Sequence, residues 1–340
     1  MPGLYARWMD RWERKLASRD SNRKVRPFEW GLEWLDSGAG GDPRRRLEAI
    51  SSELASHSDA FYAYRTPAEF RLSGECLTFQ SPLSTPFPEN NTVHARFFPA
   101  AGDRAVVVLP QWNAGEDGHI GLCKLLNRFG LTALRMNLAY HGRRMPAELE
   151  RADYHVSSNV GRTIHACRQS VVDARACLDW LERRGYRRLG ILGTSLGSCI
   201  AFITTAHDPR IRAQALNHVS TWFGDVVWTG LSTRHVQQGF DGVLTREELR
   251  RYWAPISPAA YFNRMVGRDV KTLLVWATHD TTFLPEFSRQ VVEAFRDRGV
   301  PHRVVNLPCG HYTTGQFPFK WWDGLALCRF LAQALQGPNR

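Results

Sequence analysis

The chain has 340 residues, 43% of them hydrophobic and 23% charged, enough for one large or two modest domains around a substantial core. A net charge of +11 would suit nucleic acid or an anionic surface, yet the arginines are dispersed, with Arg44, Arg45 and Arg46 as the tight run, which argues against nucleic acid. No apolar run approaches the ~18 residues of a membrane span. The first ten residues mix both charge signs without an apolar stretch, so a cytoplasmic protein without a signal peptide is expected.

Seven cysteines without a C-x-x-C pair read as small buried hydrophobes in a reducing compartment, and twelve histidines show no zinc-ligand spacing. Neither a metal nor a cofactor is expected.

Residues 1–65 read as a helical extension. Leu4, Tyr5, Trp8, Trp12 and Leu16 recur at helical spacing with Arg7, Arg11, Arg14 and Lys15 between them, and Trp30 and Trp34 repeat the i, i+4 pairing. The stretch Ser37–Pro43 breaks the pattern before Leu47, Ile50, Leu54 and Phe61 mark another helix. One reading is a basic, aromatic arm making peripheral contact with a membrane surface. The other is an accessory arm packed on the main domain, favoured because Asp10, Glu13, Asp20, Glu29 and Glu33 interrupt the basic face.

From residue 66 onward the rhythm becomes strand and helix in alternation. Eight strands are expected: Leu72–Gln80, Val93–Phe98, Arg104–Leu109, Leu131–Leu138, Leu189–Leu192, Ala213–Val219, Val270–Ala277 and Arg303–Leu307. The first two are antiparallel candidates. Helices are expected over Gly115–Phe129, Thr163–Arg184, Pro285–Arg298 and Phe317–Leu335. That alternation implies an α/β architecture, a mostly parallel sheet with helices on both faces.

The fifth strand runs into Gly193-Thr194-Ser195-Leu196-Gly197 and then a small, apolar helix. Strand, Gly-x-Ser-x-Gly, helix is the context of a nucleophile elbow, in which a serine sits on a strained turn and its flanking glycines avoid backbone collision. In an open α/β sheet functional groups gather at the carboxyl ends of strands. The seventh strand ends at Thr278-His279-Asp280 and the eighth at Pro308-Cys309-Gly310-His311, giving the order Ser, Asp, His. Asp225, after the sixth strand, is a rival acid, and His119, His218 and His279 are weaker histidine candidates.

From about Phe70 to Leu335 these features together resemble the serine-esterase-like branch of the α/β-hydrolase-fold superfamily. The resemblance implies Ser195 as nucleophile, His311 as general base and Asp280 as its orienting acid. It implies the Leu196 N–H as one oxyanion donor and, from the loop Leu109–Ala114, Trp112 by position or Gln111 as the second. In that loop Pro110-Gln111 replaces the usual His-Gly. Residues 66–340 would form the hydrolase domain, with an insertion around 222–257 as a small cap. His141, Asn113 and Trp222 are candidate substrate contacts, and Glu116 another residue of the pocket mouth. The expected reaction is hydrolysis of a small-molecule carboxylic ester through an acyl-enzyme. Amide or peptide hydrolysis and acyl transfer share the same residues, and a non-catalytic scaffold using the basic N-terminal arm is the rival from another class.

Overall fold

The computed structural model describes residues 3–35, 38 and 40–336. Nine strands form one sheet: β1 (Arg71–Ser73), β2 (Cys76–Gln80), β3 (Thr92–Phe98), β4 (Arg104–Leu109), β5 (Thr132–Met136), β6 (Arg188–Thr194), β7 (Ile211–Asn217), β8 (Lys271–Ala277) and β9 (Arg303–Leu307). Their spatial order is β1-β2-β3-β5-β4-β6-β7-β8-β9. The pairs β1–β2, β2–β3 and β3–β5 are antiparallel and the rest are parallel. The extra strand arises because Gly74, at φ +59°, folds the expected first strand into a hairpin.

The helices are α1 (Leu4–Ala17), α2 (Pro43–Ser56), α3 (Ser58–Phe61), α4 (Ile120–Arg128), α5 (Val160–Arg183), α6 (Leu196–His207), α7 (Phe223–Thr229), α8 (Arg234–Gln238), α9 (Arg246–Tyr252), α10 (Pro285–Asp297) and α11 (Phe319–Ala334). Alternation along β4 divides the core between the two faces of the sheet. Val106 and Val108 pack with Met9 of α1, Leu126 of α4 and Leu327 of α11. Val107 and Leu109 belong with Leu178 of α5 and Ile200 of α6. No helix among the described residues is long and apolar enough to cross a membrane.

Two sequence expectations shift and a third falls partly outside the described residues. The helix expected from Gly115 begins at Ile120, because residues 115–119 are turns ending in His119 at φ +69°. Trp30 and Trp34 do not share a helix. Around them lie the Glu29–Asn159 bridge and a single 3-10 turn, Leu32–Trp34, and the two rings face Tyr252 and His165 respectively. Part of the Ser37–Pro43 break lies outside the described residues; at its end Asp42 caps α2 and Pro43 occupies its first turn.

The segment 222–257 comprises α7, α8, α9 and their connections. The reciprocal Thr245–Glu248 capping box starts α9. The fully buried Asp225 pairs with Arg246 and Arg250 and so ties α7 to α9. That corrects its candidacy as the rival acid: its carboxylate is occupied by two guanidinium groups within this segment.

The N-terminal segment is stitched to the start of α5. Glu29 N–H donates to Ser158 O (3.1 Å), Val160 N–H to Glu29 O (3.0 Å) and Gly161 N–H to Trp30 O (3.0 Å). A Cβ on Gly161 would collide with the Gly31 carbonyl. Gly161→Ala is therefore expected to cost about 2 kcal/mol and lower the thermal midpoint by several degrees in calorimetry. A midpoint unchanged to within about a degree would show that this stitch contributes nothing.

Candidate active site

Ser195 occupies the single position between β6 and α6, at φ +56° and ψ −122°. Its N–H donates to Asn217 O (2.7 Å), and its carbonyl accepts from Ser198 Oγ (2.6 Å). Both flanking glycines are required sterically. A Cβ on Gly193 would strike the Gly197 carbonyl, and one on Gly197 would strike the carbonyls of Leu109 and Pro110. The end of β4 thus lies directly against the first turn of α6, whose leading N–H groups have no intrahelical partner.

Ser195 Oγ lies 3.1 Å from His311 Nε2, and His311 Nδ1 lies 3.0 Å from Asp280 Oδ2. These contacts join residues 31 and 116 positions apart. Asp280 Oδ1 accepts from the Thr282 and Phe283 N–H groups (2.8 and 2.7 Å). A second imidazole, His218, places Nδ1 2.8 Å from Asp280 Oδ2. The His311 ring is flanked by Phe283, parallel at 5.5 Å, and by His218 at 4.9 Å between centroids.

Burial by itself would raise the Asp280 pKa, but the charge of and hydrogen bonds from His311 and His218 hold it well below the usual carboxylate range. Burial opposes a charged His311, yet the Asp280 charge and hydrogen bond, with Glu13 adding to them, raise its pKa above that of a free imidazole.

Glu13 comes from α1 and is completely buried. It accepts from the N–H groups of Tyr312 (3.1 Å) and Thr313 (2.7 Å) and from Thr281 Oγ1 (3.3 Å). One carboxylate therefore braces both the loop carrying His311 and the loop carrying Asp280. Gly310 has no side chain because Glu13 fills the space. Nothing in the sequence singled out Glu13 or raised His218 above its neighbours; an acidic residue at a helix position facing Met9 and Leu16 was the available signal for Glu13.

A cavity of ≈ 860 Å³ opens onto Ser195 and His311. Five described non-glycine residues have left-handed backbone, and four of them, Asn113, His119, Ser195 and His218, line this cavity. Backbone strain so concentrated marks a site whose geometry is held by its surroundings. Gln111, Trp112 and Leu196 line it too, and their N–H groups donate to no other described residue. The Trp112 indole donates to Ala152 O (3.0 Å), and its ring stacks on His235.

Asn113 is in the wall, with its Oδ1 accepting from Ala152 N–H (2.8 Å). His141 is not. It is buried behind the loop, where Nε2 accepts from Asn113 N–H (3.0 Å) and Nδ1 faces Ala139 O (2.8 Å). Burial, with the neighbouring His155, pushes its pKa well down, so it is a neutral brace and not a substrate contact. Trp222 also lies outside the cavity wall, beneath the Arg250 guanidinium; its neighbour Phe223 lines the wall instead. Glu116 accepts from Asn137 Nδ2 (2.7 Å) and is not in the wall. His279 meets the Tyr5 ring edge-on, outside the cavity.

Behind the apolar side chains of α4 and α11 the wall carries a set of polar groups. His119 Nε2 meets Thr194 Oγ1 (3.0 Å), and Asn217 Nδ2 donates to Asp323 Oδ2 (2.8 Å). Burial lowers the His119 pKa to about 4 and raises that of Asp323 to about 7. Asn217 Oδ1 and Asp323 Oδ1 are both buried without another partner.

His218, Asp280 and His311 each bring one potential metal-ligand atom within 4.8 Å of the others. His311 Nδ1 and Asp280 Oδ2 already meet each other in the relay behind Ser195, and a cation there would displace that contact.

A family model described as the prolyl oligopeptidase family matches residues 165–321, less than half of the chain but a span containing Ser195, Asp280 and His311. No curated protein sequence is significantly similar. Among solved structures, the Pyrococcus horikoshii acylaminoacyl peptidase is similar at TM-score 0.61 and 13% identity, over 81% of this chain and 43% of that one. The chain thus spans less than half the length of that peptidase. An acetyl xylan esterase from Paenibacillus sp. R4 is similar at TM-score 0.60 and 13% identity, over 94% and 98% of the two chains. A Mycobacterium tuberculosis puromycin-hydrolyzing peptidase is similar at TM-score 0.57 and 15% identity, over 82% and 48%. The strand order, the elbow between β6 and α6 and these likenesses agree: this chain has the α/β-hydrolase fold found in serine esterases and peptidases.

Proposed function

We propose that this protein is a serine hydrolase that cleaves a small carboxylic ester through an acyl-enzyme. The observation that carries the reading is the unbroken relay Ser195 Oγ–His311 Nε2, His311 Nδ1–Asp280 Oδ2 in the wall of a cavity. His311 accepts the Ser195 proton as Oγ adds to the carbonyl carbon, and Asp280 stabilises the imidazolium. The Leu196 N–H and that of Trp112 or Gln111 serve the oxyanion. His311 then returns the proton to the leaving alcohol, and water repeats the sequence to release the acid. Phe223, Val226 and Phe283 offer an apolar wall for the acyl group.

The match to a peptidase family model and the two peptidase likenesses favour a second reading, amide or peptide hydrolysis. Matched ester and amide substrates with one acyl group separate the two. The ester reading expects the larger kcat/KM on the ester with the amide essentially inert. Comparable turnover of both assigns the chain to the second reading.

Ser195→Ala is expected to lose turnover of p-nitrophenyl esters and labelling by a fluorophosphonate while keeping the wild-type circular dichroism spectrum. Retained activity, or labelling at another residue, removes Ser195 as the nucleophile.

Because the raised pKa of His311 must be passed before the base is neutral, kcat/KM climbs with pH on an acidic limb. Its inflection is expected above the ~6.5 of a free imidazole. Asp280→Asn should move that inflection downward and cut kcat by roughly 10⁴-fold. A limb unmoved by the substitution would detach Asp280 from His311.

Glu13→Gln removes a charge that raises the His311 pKa and weakens the brace on its loop. A fall in kcat of about tenfold and a shift of the inflection to lower pH are expected. Wild-type kcat with an unmoved inflection would reduce α1 to a packing element.

A further inference from the structure

Exposed large apolar side chains are concentrated on one face. Of the eleven that the described residues expose, seven belong to the first half of α1 or to the start of α11 and the turn before it: Leu4, Tyr5 and Trp8, then Phe317, Trp321, Trp322 and Leu325. Leu4 and Phe317 are 80% and 77% exposed. The two groups lie on neighbouring elements and border one ridge, beneath which ring contacts run Tyr5–Trp8 (5.7 Å), Trp8 to the half-buried Trp12 (5.0 Å) and Trp12 to the buried Phe319 of α11 (6.5 Å). A grouping this large on a monomer's surface marks an interaction site, where scattered single residues would not.

Cations border the ridge. Arg7, Arg11 and Lys15 on α1, Lys124 and Arg128 on α4, and Lys320 on α11 are exposed, and none forms an ion pair among the described residues. The nearby acids are engaged. Asp10 pairs with Arg14, Asp20 with Arg23 and Arg151, and Asp117 with Arg96, while Glu13 and Asp323 are buried. The face is therefore apolar and aromatic with a net positive border.

That face is continuous with the cavity. Lys124, Arg128, Lys320 and Trp321 line its outer end, together with Leu122 and Leu125. We propose that α1 and the start of α11 seat the protein on an anionic lipid bilayer, with the tryptophans at headgroup depth and the lysines and arginines against lipid phosphates. The cavity mouth then opens toward the bilayer, and the ester it receives is one borne by a lipid; this last step rests on the hydrolase reading, whereas the docking does not. Tryptophan at the interface and basic residues against anionic headgroups are the two forces that hold peripheral proteins on such surfaces.

The test is co-sedimentation of the full chain with vesicles of phosphatidylcholine alone or mixed with phosphatidylglycerol, run on the wild type and on Ser195→Ala so that binding is read without turnover. Both proteins should bind the mixed vesicles at least about tenfold more tightly than the neutral ones and be released by high salt. Phe317→Ser/Trp322→Ser and Arg7→Gln/Arg11→Gln/Lys15→Gln should each lose about tenfold in binding while hydrolysing a water-soluble p-nitrophenyl ester at the wild-type rate. Absence of binding, or binding indifferent to salt and to both variants, overturns the proposal. So does self-association in sedimentation velocity that the apolar double variant abolishes, since the face would then seat a second copy. A protein that binds vesicles but hydrolyses no ester retains the docking surface and loses the hydrolase reading instead.

Discussion

A carboxylate removed from water must be answered on every side, and Asp280 meets that condition. Two backbone N–H groups of its own turn hold one oxygen, and two imidazoles face the other. Burial works against the charge and the partners outweigh it, so the group remains ionised. The partners come from three neighbouring strand ends: His218 follows β7, Asp280 follows β8 and His311 follows β9. Adjacency of β7, β8 and β9 in the sheet is thus a condition for the charge to exist at all. Separating any one of these strands from its neighbour would leave a buried carboxylate short of partners.

The same edge of the sheet stores backbone strain. Ser195 and His218 leave β6 and β7 with positive φ, while Asn113 and His119 do so in the loop between β4 and α4. None of the four is glycine, so each conformation is imposed by contacts beyond the residue itself. Ser195 is held through its N–H on Asn217, and Asn113 through the neutral His141 behind it. His119 is tied to Thr194, the residue before the serine. Ser198 Oγ donates to the carbonyls of both Ser195 and His218, so each left-handed position is held by named partners, which is how a turn geometry unfavourable in isolation persists.

What the sequence disclosed follows from the range of the interactions concerned. The elbow was legible because its requirements are local: two missing side chains, a buried strand before and a packed helix after, all within a few residues. The strand bearing Asp280 was legible because burial on both faces leaves an apolar run, whereas β9, largely exposed at the edge of the sheet, showed itself through Val304 and Val305 ahead of the Cys-Gly-His turn. The His218 contact left no such trace, since it depends on a neighbouring strand end more than sixty residues away. His141 was read as facing substrate because its loop leaves a strand at the right edge, and the inward turn of its ring is decided by Asn113 and Ala139. The hairpin at Gly74 was missed for a different reason. Only three residues, all exposed, precede the turn, too few to carry an alternation of their own.

The N-terminal helix shows why a periodic pattern admits more than one meaning. Its basic and aromatic residues suggested a surface helix, its acidic residues a packed one, and the two readings were set against each other as alternatives. Along α1 they occupy different faces. Met9, Glu13, Leu16 and Ala17 point inward, where Glu13 holds the loops of Asp280 and His311. Leu4, Trp8, Arg7 and Arg11 point outward onto the exposed ridge. The helix is fastened at both ends of this division, with the Tyr5 hydroxyl donating to the Pro308 carbonyl just ahead of the His311 turn and Met9 lying against Thr313 just after it. A load on its outer face is therefore borne by contacts that also fix the relay, and the surface helix and the packed helix are one object whose two faces answer to different solvents.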